Sequence, residues 1–402
     1  MPKGWEYVTS GRAIESIKGR NPGGTSADQK DGYLPYLSTG YLRSDEIPPY
    51  ARISDDSVHV NNGDIVLLWD GSNAGELFLG KEGILSSTMA KLTTKSDTID
   101  KRFLYHFLKA KQDYLQSLTR GTGIPHVDRT IFENLVLFVP PTTEQKEIAT
   151  VLSTVDDAIQ KTDEIIVKTE RLKEGIMQKL LAKGMGHKES KKTKIGEMPE
   201  DWEVVELGHI SIKLQTGPFG SQLKKTELSP TGIKVYSQEN VLRNDFLVGD
   251  LYIPEEKLNT LRSMIVKPND VLLTIRGSIG RAAVVPHGAR EGIIHSNLAY
   301  ARLDESKIRP EFLALLINDD VATDKRIQGL TSSTTLGALY GRRLRMLKLP
   351  LPSIQEQQEI TAVLVTVDES LHLQARIKSN LERVKQVLAN LLLTGNVRIK
   401  VN

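Results

Sequence analysis

Two stretches of the chain carry apolar residues at spacings of three and four. One runs Ile148, Leu152, Val155, Ile159, Ile166, Leu172, Ile176, Leu180; the other runs Ile360, Leu364, Val367, Leu371, Ile377, Leu381, Val384, Leu388, Leu392. That period predicts two long amphipathic helices, over about 143–183 and 353–394, close to coiled-coil spacing. Thr143 and Ser353 are placed to act as N-caps, with acidic residues in the first turn. The proline before each stretch is a natural boundary, and Gly184 and Gly395 stand where C-caps belong. About forty residues of helix extend roughly 60 Å. Either helix alone would expose its stripe, so the two are expected to pack on each other. An antiparallel pair is favoured because each helix must lead away from its own globular region, which predicts a dumbbell of two heads held apart by a strut.

Ahead of each helix the pattern changes to short apolar runs bounded by turn residues. Asp64-Ile65-Val66-Leu67-Leu68-Trp69 reads as a buried strand ending at Asp70-Gly71-Ser72-Asn73. Asp270-Val271-Leu272-Leu273-Thr274-Ile275 repeats it and ends at Arg276-Gly277-Ser278. Gly83-Ile84-Leu85-Ser86-Ser87 returns as Gly292-Ile293-Ile294-His295-Ser296, and Phe103-Leu104 returns as Phe312-Leu313 at the start of a short helix. Trp5-Glu6 and Trp202-Glu203 open the two halves, and each long helix follows a proline-rich exit, Pro140-Pro141 or Pro350-Leu351-Pro352. A repeat of about 200 residues is too long for a solenoid unit and is the size of a domain. The chain is therefore predicted to be α+β and pseudo-twofold, with two repeated globular heads separated by a pair of long antiparallel helices. Its boundaries are a first head at 1–142, a helix at 143–184, a polar linker at 185–200, a second head at 201–352, a helix at 353–395 and a tail at 396–402. Anchors and turn glycines recur while the residues between them do not, so the scaffold is repeated and the loops are not.

Composition narrows the class only slightly. With no cysteine there is neither a disulfide framework nor a thiolate metal site, which fits a reducing cytoplasm. No segment reaches 18 uninterrupted apolar residues and the N-terminus lacks the apolar core of a signal peptide, so no membrane association is expected. The net charge of +3 permits nucleic acid without arguing for it. The first head is near neutral, with 16 basic and 17 acidic residues over 1–142; the second has 20 and 17 over 201–352.

Strings that mimic catalytic motifs each fail at a chemically necessary position. Gly75-Glu76-Leu77-Phe78-Leu79-Gly80-Lys81 has phosphate-loop spacing, but Glu82 stands where a hydroxyl must hold magnesium. Ile47-Pro48-Pro49-Tyr50 resembles the tetrapeptide with which amino-methyltransferases grip adenine, yet Ile47 cannot accept from the amino group. The eight histidines are scattered singly, which argues against a metal site, and no Gly-x-Ser-x-Gly elbow is present. A binding role is expected.

A Pro-x-x-x-Glu-Gln-x-x-Ile opening to a long helix, once per half, together with Leu392-Leu393-Thr394-Gly395 before Val397-Arg398-Ile399, resembles the DNA-specificity subunit of type I restriction–modification systems. Thr216-Gly217-Pro218-Phe219-Gly220-Ser221-Gln222-Leu223-Lys224 and the two Trp-Glu openings add to the likeness, which covers essentially the whole chain. The resemblance implies that each head is a target-recognition domain for one half of an asymmetric bipartite site in double-stranded DNA. It also implies that the helices are spacers docking two methyltransferase subunits, joined by restriction and motor subunits. The chain itself would be non-catalytic and hold no cofactor. S-adenosylmethionine, ATP and Mg2+ would serve the partners in N6-adenine methylation and in cleavage. The strut would set the half-site spacing near one helical turn, roughly 34 Å. Two alternatives stay open: a related system whose methyltransferase and nuclease are fused in one partner, and a coiled-coil adaptor whose heads bind protein.

Candidate DNA contacts in the first head are Asp70, Ser72, Asn73, Arg120, Thr122, His126 and Arg129. In the second they are Gln222, Lys224, Lys225, Arg276, Ser278, Arg342, Arg343 and Arg345. Arg pairs with guanine and Gln with adenine in the major groove, while Lys mostly holds phosphate. The plainer reading of Arg342, Arg343 and Arg345 is a solvated face, and that of Arg120-Gly121-Thr122-Gly123 is a turn rather than a phosphate cradle. Glu144, Gln145, Glu356 and Gln357 are candidate partner-docking residues, with first-turn capping as the simpler role. Given the near-neutral first head, this chain alone is expected to bind DNA weakly.

Overall fold

The computed structural model describes residues 2–399 apart from 45, 122, 220–221, 332–338 and 340, and for Lys225 the backbone alone. The chain divides into two compact units, residues 1–164 with 375–402, and residues 165–374.

In the first unit, Glu6–Thr9 pairs antiparallel with Val136–Val139 and so brings the two ends of the head together. A four-stranded antiparallel sheet follows in the order Ile14–Lys18, Met89–Thr94, Ile65–Leu68, Leu77–Leu79. A second sheet joins Tyr33–Leu37 in parallel with Gly83–Leu85. In Ile65–Leu68 all four residues are buried because the strand is covered on both faces. Ile65 and Leu67 pack with Phe103, Leu104 and Phe107 of the helix Lys101–Ala110, while Val66 and Leu68 pack with Leu37, Leu85 and Met89. That explains a continuous apolar run in place of alternation. Each such side chain contributes roughly 1.5–3 kcal/mol by burial, so a charge at Leu67 would dismantle the unit.

The second unit repeats the plan. Glu203–Glu206 pairs with Lys348–Leu351, and the four-stranded sheet has the order Ser211–Thr216, Leu298–Leu303, Val271–Thr274, Ala282–Val284. Ile233–Tyr236 lies parallel to Gly292–Ile294. Val271 and Leu273 face the helix Pro310–Asp319, and Leu272 faces the small sheet. The strands and short helices expected at 64–69, 83–87, 103–104 and their second-half counterparts are all present.

The long helices span Thr142–Lys183 and Ile354–Leu392. Within the first unit Asp163 pairs with Lys378 at 2.7 Å, and seven residues earlier Asp156 pairs with Lys385, seven residues later. The segments there are antiparallel. Within the second unit Lys173 reaches Asp368 at 2.7 Å and Asp319 at 2.8 Å.

Four expectations need correction. Thr143 is not an N-cap, because the helix already begins at Thr142; Ser353 does cap, its Oγ accepting from Glu356 N at 3.2 Å. Gly395 has the left-handed φ of +72° but stands three residues beyond Leu392, after a turn. The segment read as a polar linker contains a hairpin, Ser190–Thr193 against Gly196–Pro199, and Met198 is buried in the second unit's core. Finally, the apolar stripe is sealed only where it meets a head: Ile148, Leu152, Ile360 and Leu364 are buried, but Leu172 is 57% exposed, Val384 48% and Ile377 38%.

His106 is the most perturbed histidine. It is buried between the helix Lys101–Ala110 and the first long helix, with Nε2 2.9 Å from Ser153 Oγ and Nδ1 3.7 Å from Asp156. Burial pushes its pKa down to about 4, against the opposing pull of Asp156. The arrangement mimics a Ser-His-Asp relay, but Ser153 sits inside a helix whose main-chain N–H groups are engaged and cannot stabilise an oxyanion. It is a packing contact.

Candidate nucleic-acid interface

The Glu-Gln pairs at the helix starts do not face a partner. Glu144, Gln145, Glu356 and Gln357 are 2%, 0%, 7% and 0% exposed, and every one is used inside its own unit. Gln145 Oε1 accepts from Asp100 N at 2.8 Å, while Nε2 donates to Thr98 O at 2.9 Å and Pro140 O at 2.8 Å. Gln357 repeats the set: Oε1 accepts from Arg309 N at 2.8 Å, and Nε2 donates to Lys307 O at 2.8 Å and Pro352 O at 2.9 Å. Glu144 accepts from the indole of Trp5 at 3.2 Å and from Arg398 at 2.7 Å; Glu356 accepts from Trp202 at 2.8 Å and Met185 N at 2.7 Å, beside His187 at 3.1 Å. A buried carboxylate or amide must find such partners. The docking assignment for these four residues is therefore withdrawn. They bolt each head to the start of its helix, and Trp5 and Trp202 are the far side of that bolt. Gly184 and Gly395 complete it, since a Cβ would lie 2.7 Å from Glu356 Oε1 at the one and 2.3 Å from Pro2 Cγ at the other.

With the frame fixed, the loops at the end of the central strand carry the variable chemistry. In the first unit, the segment after Arg120 folds back on that end. Arg120 N donates to His126 O (3.0 Å), His126 N to Arg120 O (2.8 Å), Gly71 N to Pro125 O (2.8 Å) and Val127 N to Trp69 O (2.9 Å). Gly121, at φ +115°, could not carry a Cβ, which would sit 2.5 Å from Ile124 O. Its glycine serves loop closure, the plainer of the two readings. A cleft of about 430 Å³ opens here, lined by Lys18, Trp69, Arg120, His126 and Arg129 among others. Asp70 stands beside it, paired with Lys18 at 2.7 Å, and Ser72 and Asn73 are exposed on the adjoining turn. Arg120 pairs with Asp128 at 2.7 Å and Arg129 with Glu133 at 2.8 Å. Thr122 lies outside the described residues.

The same corner of the second unit is built differently. Arg276 occupies the place of Asp70 and stacks on Phe219, 4.6 Å from the ring centroid. With its amide oriented by its hydrogen bonds, Gln238 holds Arg276 O at 3.1 Å and Ser278 N at 2.9 Å. Gln222 Oε1 accepts from Phe219 N at 3.0 Å, and Lys224 is exposed. The Lys225 side chain lies outside what is described. The arginine cluster splits. Arg345 donates to Leu214 O at 3.0 Å and Arg343 to Leu330 O and Thr331 O at 3.2 Å, so both brace backbone and neither is a free contact. Arg342 is exposed without an ion pair among the described residues.

Lys18, Trp69, Phe219 and Gln238 escaped the sequence reading. Lys18 and Phe219 lie 52 and 57 residues from the positions they serve, Asp70 and Arg276, and only the fold joins them. Trp69 was legible as a break in the repeat, since its counterpart is Ile275. Among the described residues no group of acids and histidines is arranged to hold a metal, and no helix is long and apolar enough to cross a membrane.

Residues 2–171 and 199–383 match the family model described as the type I restriction modification DNA specificity domain. The MjaVIII specificity subunit of a type I restriction enzyme from Methanocaldococcus jannaschii is 37% identical over all of this chain and 94% of its own. The EcoBI specificity subunit of Escherichia coli is 26% identical over 88% of this chain and 75% of its own. A crystal structure of a type I restriction–modification S subunit from M. genitalium superposes with a TM-score of 0.60 at 15% identity, covering 99% of this chain and 97% of that one. At that identity the likeness speaks for the fold.

Proposed function

Because the chain belongs to the type I restriction–modification DNA specificity family, we propose that its two heads read the two unlike halves of one bipartite site in double-stranded DNA. The observation that carries this reading is the contrast between frame and corner. The glutamines of the two bolts repeat hydrogen bond for hydrogen bond, whereas equivalent loop positions hold Asp70 in one head and Arg276 in the other. A repeated frame with diverged polar side chains at its loop ends is what unequal base readout requires.

In this reading the chain supplies recognition only. Methylation of adenine N6 from S-adenosylmethionine, and ATP- and Mg2+-dependent translocation and cleavage, belong to two methyltransferase subunits and the restriction–motor subunits. The long helices offer the docking surface, through the exposed apolar positions Val384 and Val387 in one unit and Leu172 and Leu373 in the other. Lys18, Arg120 and Arg129 are each neutralised by an acid of the same head. Phosphate attraction is correspondingly small, and affinity rests on the assembled complex.

Long-read sequencing of DNA from cells carrying this gene with its partner genes tests the proposal. A modified, asymmetric two-part motif that vanishes when this gene is deleted is expected. Its absence, or a motif independent of this chain, would refute the function.

A further inference from the structure

We propose that Arg120, aimed by Asp128, reads a guanine edge in the half-site of the first head. This rests on the DNA-specificity reading above and assigns one of its contacts. The Arg120 side chain is 70% exposed, yet its guanidinium is paired. Its Nε edge lies 2.7 Å from Asp128 Oδ2, and Asp128 is itself anchored, its side chain only 10% exposed and its Oδ1 accepting from Ile131 N at 3.1 Å. The Arg120 backbone is tied to His126 in both directions, at 3.0 and 2.8 Å. Backbone and guanidinium are thus both held, while Nη1 and Nη2 make no hydrogen bond among the described residues.

Two parallel donors on a fixed plane match O6 and N7 of guanine in the major groove. The same arrangement suits phosphate less well. Asp128 has already neutralised the charge, and a phosphate contact needs charge more than a fixed plane. The neighbouring cations are spent likewise, Lys18 on Asp70 and Arg129 on Glu133. What the corner offers in surplus is directed donors. Asp128 acts through Arg120 and is a positioning residue.

The test maps the modified motif of the assembled complex for Arg120→Ala, Arg120→Lys and Asp128→Asn. Arg120→Ala is expected to relax one G·C position in one half of the motif, lowering discrimination there by about 5- to 100-fold, while the other half stays unchanged. Arg120→Lys keeps the charge and loses the fork, so it should relax the same position. Asp128→Asn keeps an oxygen for the helix cap and loses the ion pair; partial relaxation at that position is expected. Should Arg120→Ala fail to assemble, the other two variants still decide. Retention of the full motif by either Arg120 variant would overturn the inference, as would relaxation at an A·T position. If the unaltered complex modifies no bipartite motif, the DNA-specificity reading falls as well, an outcome distinct from an unaltered motif in the variants.

Discussion

Replacing Gln145 by Glu changes one NH2 into an oxygen and nothing else, which isolates the chemistry of the bolt from its packing. Gln145 is wholly buried, and its Nε2 donates to two carbonyls, Thr98 O and Pro140 O. A carboxylate would point a negative oxygen at both, so the folded chain should hold the new acid protonated. Its folded pKa then lies above the unfolded value of about 4.3. Keeping it neutral at pH 7 costs at most about 3.7 kcal/mol, from roughly 2.7 pKa units at 1.36 kcal/mol each. The neutral acid still offers one donor where the amide gave two, another ~1 kcal/mol. A loss of about 4–5 kcal/mol is therefore expected at pH 7. Because the folded pKa is raised, the charge-linked part grows as pH rises above 4.3 and shrinks by about 1.4 kcal/mol per unit on acidification. Urea unfolding at about pH 5 and pH 7, each against the unaltered chain, should show a deficit differing by about 3 kcal/mol. Hydrogen exchange around Asp100 would localise it, since the two units need not unfold together. Gln357→Glu should behave alike in the second unit. A pH-independent deficit, matching that of Gln145→Ala, would show that the site is simply a filled space and would sink the bolt.

His106 gives an opposite signature. Its folded pKa of about 4 lies below the unfolded 6.5, so its contribution is complete above pH 6.5 and is lost as pH falls through the window to 4. That loss is about 3 kcal/mol, and thermal melts of His106→Gln from pH 7 to 4 should show a flatter acid limb than the unaltered chain. Arg276→Ala should relax one position in the half-site opposite to that of Arg120, whereas Arg345→Ala should lower stability by about 1 kcal/mol and leave the motif intact; a motif change from Arg345→Ala alone would reverse those roles. Val384→Asp with Val387→Asp should weaken co-purification of the methyltransferase at least 10-fold with the chain still folded by circular dichroism, because a charge is placed on an apolar contact; undiminished co-purification would move docking elsewhere.

The sequence exposed the duplication and, through it, the sheets and helices, because buried apolar runs recur in order. It misled at Glu144, Gln145, Glu356 and Gln357, since polar residues at a helix start read as solvent-facing or partner-facing. They are inside because a head must join its helix there, and the main-chain groups it buries need partners. Arg343, Arg345 and Arg276 illustrate the same limit at the surface. One residue type takes three environments, two on backbone carbonyls and one on an aromatic ring, and nothing local to the sequence separates them. The linker failed for a related reason: in a segment dominated by Lys and Glu, the hairpin is held by Met198 and Ile195, two apolar residues that pack on the core.

One property of the bolt bears on how such a chain changes over generations. Gln145 and Gln357 hold only main-chain atoms, those of Thr98, Asp100 and Pro140 in one case and of Lys307, Arg309 and Pro352 in the other. The gripped side chains already differ, a threonine for a lysine and an aspartate for an arginine, while the grip is unaltered. Attachment is thus indifferent to side-chain identity in the loop it clasps. Selection can rewrite a head residue by residue, or exchange it whole for another built on the same sheet, and each successor inherits a working joint.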